Sequence, residues 1–185
     1  HFLYGNAVHK AAELYVRDAV PLPEKFMQFK PILDRVKQIP GDIYCEHKIG
    51  LTKDLKPTGF FADDVWWRGV LDLLIIDKDK NLATVIDYKT GKSSQYADTR
   101  QLSLMGVGVF KHFPEVESIK AALMFLVSKE LVKEDYSSDK VDSMYEEWGK
   151  MIHRIDTAYS TDVFNAVPNF GCRWCPVASC AHNGK

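Results

Sequence analysis

The stretch "WWRGVLDLLIIDKDKNLATVIDYKTGK", residues 66–92, contains two apolar runs on either side of a short polar turn. The first run covers residues 66–77, the turn covers residues 78–81, and the second run covers residues 82–89. Runs of this length that are rich in valine, isoleucine and leucine and joined by a polar turn predict a β-hairpin. Both runs also contain charged residues where a buried strand is ordinarily apolar, so we expect a functional site within the hairpin.

Three of the charged residues in this hairpin lie among its most apolar positions. Asp72 lies within the first run, and Asp87 and Lys89 lie near the end of the second. A lone ionised carboxylate in an apolar strand is unfavourable by several kcal/mol unless it is paired or bound to a cation. The hairpin brings Asp72 and Asp87 side by side, and adjacent carboxylates repel each other unless a divalent cation lies between them. Mg²⁺ or Mn²⁺ suits such a site, because both accept oxygen ligands.

Lys89 lies two positions beyond Asp87 and therefore points to the same face of the strand. There it can orient or help to deprotonate an attacking water and offset charge on a phosphate. The alternative is a structural ion pair, in which Lys89 neutralises one aspartate and solvent accommodates the other. Glu46 joins the site if its strand is adjacent, and one lysine cannot neutralise three carboxylates, so we favour the metal site.

The composition is that of a globular chain with a full hydrophobic core. Its 185 residues are 46% hydrophobic and 26% charged, and this length suits one domain over residues 1–185. The formal net charge of -1 gives no support to a nucleic-acid partner, although a local basic groove remains open. No apolar run is as long as a membrane span and no signal peptide is visible, so we expect a cytoplasmic protein without a membrane partner. Because the chain begins at His1 without methionine, we expect that an N-terminal segment has been removed.

Periodicity predicts helices and further strands on both sides of the hairpin. Two helices and a strand precede it, and a helix, one or two strands and a final helix follow it. This order indicates an α/β fold with a mixed sheet and helices packed against it. The predicted helices cover residues 5–19, 24–38, 96–113 and 139–160, and the predicted strands cover residues 42–52, 66–77, 82–89, 118–128 and 131–137.

Strict alternation along the predicted strands assigns each side chain to one face of the sheet. In "DIYCEHKIGLT", residues 42–52, one face contains Ile43, Cys45, His47, Ile49 and Leu51, and the other contains Tyr44, Glu46 and Lys48. The same rule places Asp72 on the face of Val70, Leu74 and Ile76.

Three of the four cysteines, Cys172, Cys175 and Cys180, form the pattern C-x2-C-x4-C in the irregular tail over residues 167–185. Thiolates at this spacing suit Zn²⁺ or an iron–sulfur cluster. Their clustering indicates a reducing compartment rather than a disulfide framework. Cys45 and His182 are candidates for the fourth ligand, and three free thiols in a mobile tail are the alternative.

The segments "GVLDLLIID" and "ATVIDYKTGK" together resemble the signature of the PD-(D/E)XK nuclease superfamily, and the ending "DYKTGK" resembles its RecB-like branch. "GNAVH", residues 5–9, resembles the N-terminal helix motif of that branch, which implies that His9 lies at the metal site. Glu46 and Gln101 match a glutamate on the first core strand and a glutamine on the helix after the lysine strand. The resemblance implies a restriction-endonuclease-like fold, in which a mixed β-sheet core is flanked by α-helices in the order αβββαβ.

The resemblance also implies a divalent-metal-dependent DNA nuclease that hydrolyses phosphodiester bonds, and the histidine motif favours exonuclease action. It implies that Lys89 positions the attacking water and that Gln101 holds the lysine or the backbone phosphate. DNA is the implied partner, in recombination, repair or phage replication, with a helicase or recombination protein beside it. A phage-encoded chain would act in the host cytoplasm. The implied ligands of Mg²⁺ or Mn²⁺ are Asp72, Asp87, Glu46 and His9.

Further residues are candidates for contact with DNA. The family helix often contains a tyrosine four residues after the glutamine; that position is Met105 here, and we expect Tyr96 to substitute. Lys92 and Arg100 are expected DNA contacts. Two aromatic pairs admit either base stacking or packing in the sheet, and packing is preferred for at least one tryptophan. These pairs are Phe60 with Phe61 and Trp66 with Trp67. The candidates for a phosphate track are Lys48, Lys53, Lys56, Arg68, Lys92 and Arg100, although charged residues on a solvated surface show the same pattern.

Some RecB-like nucleases hold a [4Fe-4S] cluster with three C-terminal cysteines and one N-terminal cysteine. The resemblance implies such a cluster at Cys172, Cys175 and Cys180, with Zn²⁺ as the alternative, although the last gap here is one residue shorter. Two functions other than catalysis stay open. One is a DNA-binding module that retains the fold without activity, and the other is an iron–sulfur or zinc interaction module whose hairpin charges are structural.

Overall fold

A computed structural model of the chain describes residues 2–95 and 97–184. The chain forms two compact units, one ending at Glu146 and the other beginning at Glu147. A single domain over residues 1–185 stays a prediction. The helices are α1 (Phe2–Asp18), α2 (Lys30–Val36), α3 (Arg100–His112) and α4 (Val141–Thr161), and the strands are β1 (Asp42–Leu51), β2 (Pro57–Thr58), β3 (Trp67–Asp77), β4 (Leu82–Lys89), β5 (Ser118–Phe125) and β6 (Glu130–Ser137).

The first unit is built on a six-stranded mixed sheet with the order β2-β1-β3-β4-β5-β6. Neighbouring strands are antiparallel except β4 and β5, which are parallel. A parallel pair needs a crossover connection, and α3 supplies it. The order of helices and strands is the predicted one, except for the additional strand β2. A strand of two residues is too short to produce a periodic pattern in the sequence.

β3 and β4 form the predicted hairpin. The register pairs Leu73 with Ile86 and Asp77 with Leu82. The connection is a 3₁₀ turn over Lys78–Lys80, and Asn81 closes it with a φ of +50°. Asparagine tolerates this left-handed conformation better than most residues, so Asn81 is a suitable residue for the end of this turn.

Helices cover both faces of the sheet in the first unit. The core beneath α3 includes Leu74 and Val85, and the core beneath α1 and α2 includes Leu73 and Ile75. Leu73 and Leu74 are both 0% exposed although they point in opposite directions. A strand that is buried on both faces needs a nearly continuous apolar run, which explains the sequence of β3.

The predicted faces of β1 are wrong after Cys45. Ile43 and Cys45 pack beneath α1 and α2, whereas Ile49 and Leu51 lie in the core beneath α3. Glu46 lies between these two pairs with a φ of +51°, and this left-handed conformation interrupts the strict alternation of the strand. Such a conformation in a residue other than glycine costs on the order of 1–3 kcal/mol and is typical of functional sites.

The alternation of β3 breaks at Asp72, which is the position opposite Glu46 in the register of β1 and β3. Leu71 and Leu74 lie in the same core although strict alternation would place them on opposite faces. The predicted grouping of Asp72 with Leu74 and Ile76 therefore fails. The Asp72 side chain instead contacts a residue of α1.

All four predicted helices have different boundaries in the structure. The helix expected over residues 24–38 is a 3₁₀ turn over Glu24–Phe29 followed by α2, which has Pro31 in its first turn. Proline suits that position because the first amides of a helix have no partner within it. The helix expected over residues 96–113 begins at Arg100. In the part of the chain that the structure describes, no helix has the length and apolarity needed to cross a membrane.

Candidate active site

The candidate site lies where β3 and β4 separate. Leu73 and Ile86 are the last paired positions, so Asp72 and Asp87 are the next residues of the two strands. Just beyond them, the Tyr88 amide donates a hydrogen bond to Oδ2 of Asp72 over 2.7 Å. A side-chain oxygen thus serves as the acceptor for a strand amide, and it fixes the Asp72 carboxylate in the gap between the strands.

Helix α1 adds a histidine to this gap. His9 Nδ1 lies 3.3 Å from Oδ1 of Asp72. His9, Glu46 and Asp72 each offer one ligand atom, and these three atoms all lie within 4.8 Å of one another. The His9 ring also packs edge-to-face against Tyr88, with ring centroids 6.0 Å apart, which restrains the imidazole. Two carboxylates and an imidazole are suitable ligands for Mg²⁺ or Mn²⁺, so the residues fit a divalent cation.

Asp87 is paired with Lys89 and is not a member of the three-residue group. Lys89 Nζ lies 2.7 Å from Oδ2 of Asp87 and donates a hydrogen bond to Oε1 of Gln101 over 3.3 Å. Asp87 is only 8% exposed, and its Oδ2 makes no well-oriented hydrogen bond within the described residues, despite the ion pair. Gln101 Nε2 is also buried without a partner in that part of the chain. Buried polar atoms without a hydrogen bond are rare, and these two at the site fit the binding of an ion or a substrate group.

Burial and neighbouring charges shift three pKa values in the site. Burial raises the pKa of the Asp87 carboxyl, against the opposing effect of Lys89. Burial also raises the pKa of Glu46, and the charge of Asp72 adds to that increase. The hydrogen bond to Asp72 raises the pKa of His9, although burial opposes it. The site therefore retains protons more strongly than exposed groups do, and a divalent cation would displace them.

The predicted DNA contacts lie in different surroundings. Arg100 begins α3 and is ion-paired with Asp98, to which its Nε donates over 2.9 Å, so much of its charge is offset. Lys92 is exposed in the loop after β4. Met105 packs against the core beneath α3, where an apolar side chain is suitable. Tyr96 lies outside the described residues, and contact of DNA with Lys92 and Arg100 stays a prediction.

Tyr88 is the residue of the site that sequence reasoning missed. Its amide holds Asp72, and its side chain is 3% exposed in the core beneath α1 and α2. Its hydroxyl is buried with no hydrogen-bond partner among the described residues, and burial raises its pKa. One feature of the sequence could have identified it. Tyr88 is an aromatic residue between Asp87 and Lys89, and alternation along the strand places it on the opposite face of the sheet from those two residues.

The cysteine-rich tail belongs to the second unit. Cys172, Cys175, Cys180 and His182 line a cavity of about 490 Å³, and the three cysteines are free and half-buried. Within the described residues these side chains do not form a group as close as His9, Glu46 and Asp72, so the zinc or iron–sulfur site stays a prediction. The other cysteine, Cys45 on β1, is also free, and burial raises its pKa to about 11.

The chain is similar to a solved structure and to a family model, but no curated protein matches it. A solved structure described as "Crystal structure of SSO0001" is similar with a TM-score of 0.40 and 12% sequence identity, over 86% of this chain and 69% of that chain. A family model described as the PD-(D/E)XK nuclease superfamily matches residues 43–180. Together with the mixed sheet and its flanking helices, this match confirms the predicted restriction-endonuclease-like fold class. The chain belongs to the PD-(D/E)XK nuclease superfamily.

Proposed function

We propose that this chain is a divalent-metal-dependent deoxyribonuclease of the RecB-like branch that removes nucleotides from DNA ends. Membership of a nuclease superfamily implies DNA as the substrate and divalent metals as cofactors. The observation that supports the proposal most strongly is the meeting of two charged groups where β3 and β4 separate. One is the cluster of His9, Glu46 and Asp72, and the other is the buried pair of Asp87 and Lys89.

In this proposal the acidic residues hold a divalent cation, Mg²⁺ or Mn²⁺. Asp72, Glu46 and His9 supply ligand atoms from three different elements, and Asp87 adds negative charge from the adjacent strand. When bound, the cation neutralises charge on the scissile phosphate and lowers the pKa of water. The Tyr88 amide fixes the orientation of Asp72 before DNA binds.

Lys89 provides the positive charge of the site. It positions the attacking water and stabilises the negative charge that develops on the phosphate in the transition state. Gln101 accepts a hydrogen bond from the Lys89 ammonium and thereby limits its direction. Asp87 lies 2.7 Å from the same ammonium, so an ion pair and a hydrogen bond together hold one catalytic cation.

Action at DNA ends is supported by the "GNAVH" motif, whose His9 contacts Asp72. The test is digestion of end-labelled linear DNA and of covalently closed circular DNA with Mg²⁺ or Mn²⁺. We expect the linear DNA to lose nucleotides from its ends while the circle stays intact. Cleavage of the circle would instead identify an endonuclease.

Variants of the site separate catalysis from contamination. Asp87→Asn and Lys89→Met should each abolish cleavage, because one removes acidic charge from the metal site and the other removes the cation beside the phosphate. Asp79→Asn, in the turn at the opposite end of the same hairpin, and Lys140→Met, on an exposed turn, are matched controls and should cleave like the wild type. Full activity in Lys89→Met would refute the assignment. DNA binding without cleavage in any divalent metal would identify a non-catalytic DNA-binding module.

A [4Fe-4S] cluster held by Cys172, Cys175 and Cys180 is part of the same proposal, with Zn²⁺ as the alternative occupant. Its support is that these three cysteines and His182 all line one cavity. Anaerobic purification followed by iron, sulfide and zinc analysis distinguishes the two, because only the cluster absorbs visible light. Cys175→Ala should lose the bound metal. A preparation without iron or zinc under these conditions would refute a metal site in the tail.

The biological setting follows from the branch that the sequence resembles. We propose a role in recombination, repair or phage replication in the cytoplasm, or in the host cytoplasm for a phage-encoded chain, with a helicase or recombination protein as partner. Co-purification of the tagged chain with a DNA helicase would support that association. Action on DNA without any such partner in the cell would contradict it.

A further inference from the structure

Two phenylalanines and two cations form a cluster at the loop between β2 and β3. Phe60 and Phe61 have ring centroids 4.8 Å apart and ring planes at 80°. Lys48 Nζ lies 5.4 Å from both centroids, and Arg68 Cζ lies 5.3 and 5.7 Å from them. We call Lys48, Phe60, Phe61 and Arg68 the aromatic platform.

The exposure and the charge of the aromatic platform differ from those of core residues. Phe61 is 76% exposed, and neither phenylalanine belongs to the two hydrophobic cores of the described chain. Within the described residues, neither Lys48 nor Arg68 has a carboxylate at ion-pair distance. Arg68 Nη1 instead makes a long hydrogen bond of 3.4 Å to the Phe60 carbonyl. The platform therefore presents an open aromatic ring beside two cations that no acidic side chain neutralises.

The aromatic platform lies close to the candidate active site and on a defined face of the sheet. Lys48 is two residues beyond Glu46 on β1, which corresponds to a distance of about 7 Å along the strand. Because Ile49 points into the core beneath α3, its neighbour Lys48 points to the opposite face, where α1 carries His9. Arg68 points to the same face as Lys48, because Arg68 is paired across the strands with Gly50, two positions after Lys48. A strand of DNA that crosses the platform on this face can continue into the site.

We propose that the aromatic platform binds an unpaired base and the adjoining phosphates of single-stranded DNA, an inference that rests on the proposed function. Stacking on an aromatic side chain accepts every base, because each base has a flat face, and flanking cations follow the phosphates. Bases inside a duplex are already stacked on their neighbours and paired, so they cannot lie on Phe61. The substrate is therefore a single strand or the single-stranded end of a duplex.

The test measures binding of short fluorescent DNA by anisotropy in EDTA, where no divalent metal supports cleavage. Three ligands of equal length are compared: oligothymidine, an abasic strand with the same phosphates, and a duplex. The wild-type chain should bind oligothymidine about tenfold or more tightly than the abasic strand, because only the former provides bases to stack. It should also prefer oligothymidine to the duplex.

Variants of the platform assign the base preference to one ring. Phe61→Leu keeps apolar volume but removes the aromatic face, so it should bind oligothymidine and the abasic strand alike, whereas Phe61→Trp should keep the preference. Lys48→Met should weaken binding of both strands equally and reduce the salt dependence by about one phosphate contact. Phe164→Ala is the control, since Phe164 is also exposed, at 61%, and packs on another aromatic ring, Tyr159, at 5.3 Å. It should bind like the wild type.

Equal binding of oligothymidine and the abasic strand by the wild-type chain would overturn the proposal, and this comparison needs no variant to fold. A folded Phe61→Leu variant that retains the full base preference would overturn it as well, and circular dichroism melting establishes folding. The outcomes also separate the two levels of inference. Base preference without cleavage in any divalent metal refutes only the proposed nuclease function, and cleavage without base preference refutes only the platform.

Discussion

The Tyr88 amide donates a hydrogen bond to the Asp72 carboxylate over 2.7 Å, across the point where β3 and β4 stop pairing. This bond ties a side chain of the candidate site to the backbone of the strand that contains Asp87 and Lys89. The three charged residues are therefore positioned by the main chain of the hairpin and not by flexible loops. A site built in this way keeps its geometry when the surrounding loops move.

The first prediction separates the structural and the metal-binding roles of Asp72. Asp72→Ala leaves the Tyr88 amide without its acceptor and should lower the free energy of unfolding by about 1–3 kcal/mol. Asp72→Asn keeps an oxygen acceptor and should lose less. Urea denaturation with and without Mn²⁺ measures both effects, and Mn²⁺ at 100 times its dissociation constant should stabilise the wild type by about 2.7 kcal/mol. Neither variant should gain that stabilisation, and an Asp72→Asn variant that gains it in full would contradict the ligand assignment.

The second prediction concerns Gln101 as a positioning residue. Gln101→Leu removes the hydrogen-bond acceptor of the Lys89 ammonium, so we expect kcat to fall about 10- to 100-fold, the range seen when a supporting hydrogen bond is lost. KM for DNA should change little, because the residue orients the lysine rather than the substrate. Gln38→Leu, at an exposed position after α2, is the control. A Gln101→Leu variant with increased KM and unchanged kcat would indicate contact with DNA instead.

The third prediction follows from the raised pKa of Asp87. Between the ordinary pKa of about 4 and the raised value, the folded chain binds more protons than the unfolded chain, so increasing pH favours unfolding. The stabilisation of the folded chain by Asp87 is complete below the ordinary pKa of the carboxyl. It is lost as the pH rises through the raised pKa of Asp87. In EDTA, the stability of the wild type relative to Asp87→Asn should therefore fall as the pH rises from about 4. Urea denaturation of the wild type and of Asp87→Asn across that range measures this difference. A relative stability that rises with pH would contradict the raised pKa.

The fourth prediction contrasts two glycines. Gly41 has a φ of +129°, and a Cβ there would lie 2.4 Å from the carbonyl oxygen of Ile76, so Gly41→Ala should destabilise the chain by more than about 1 kcal/mol. Gly149 lies inside α4, and among the described residues no atom outside the local helix backbone lies within 4 Å of where an alanine Cβ would be, so Gly149→Ala should stabilise that helix by about 0.5–1 kcal/mol. Thermal unfolding of both variants tests this, and a stabilised Gly41→Ala variant would show that the backbone there relaxes freely.

Local sequence determined the hairpin and predicted residues of the candidate site within it. The polar turn ending in Asn81 and the two apolar runs predicted the register that places Asp72 and Asp87 next to each other. Period-two alternation likewise predicted that Asp87 and Lys89 share a face, and their contact at 2.7 Å agrees with it. These features depend on neighbours along the chain, which is why periodicity reveals them.

Tertiary structure decided which side chains actually meet at the site. The left-handed backbone of Glu46 interrupts the alternation of β1, and no local preference of glutamate predicts that conformation. The meeting of His9 with Asp72, the burial of Asp87 and the exposure of Phe61 depend on how α1 and the loops pack against the sheet. Such contacts join residues far apart in the chain, and their packing energy outweighs the local preferences that a sequence pattern records.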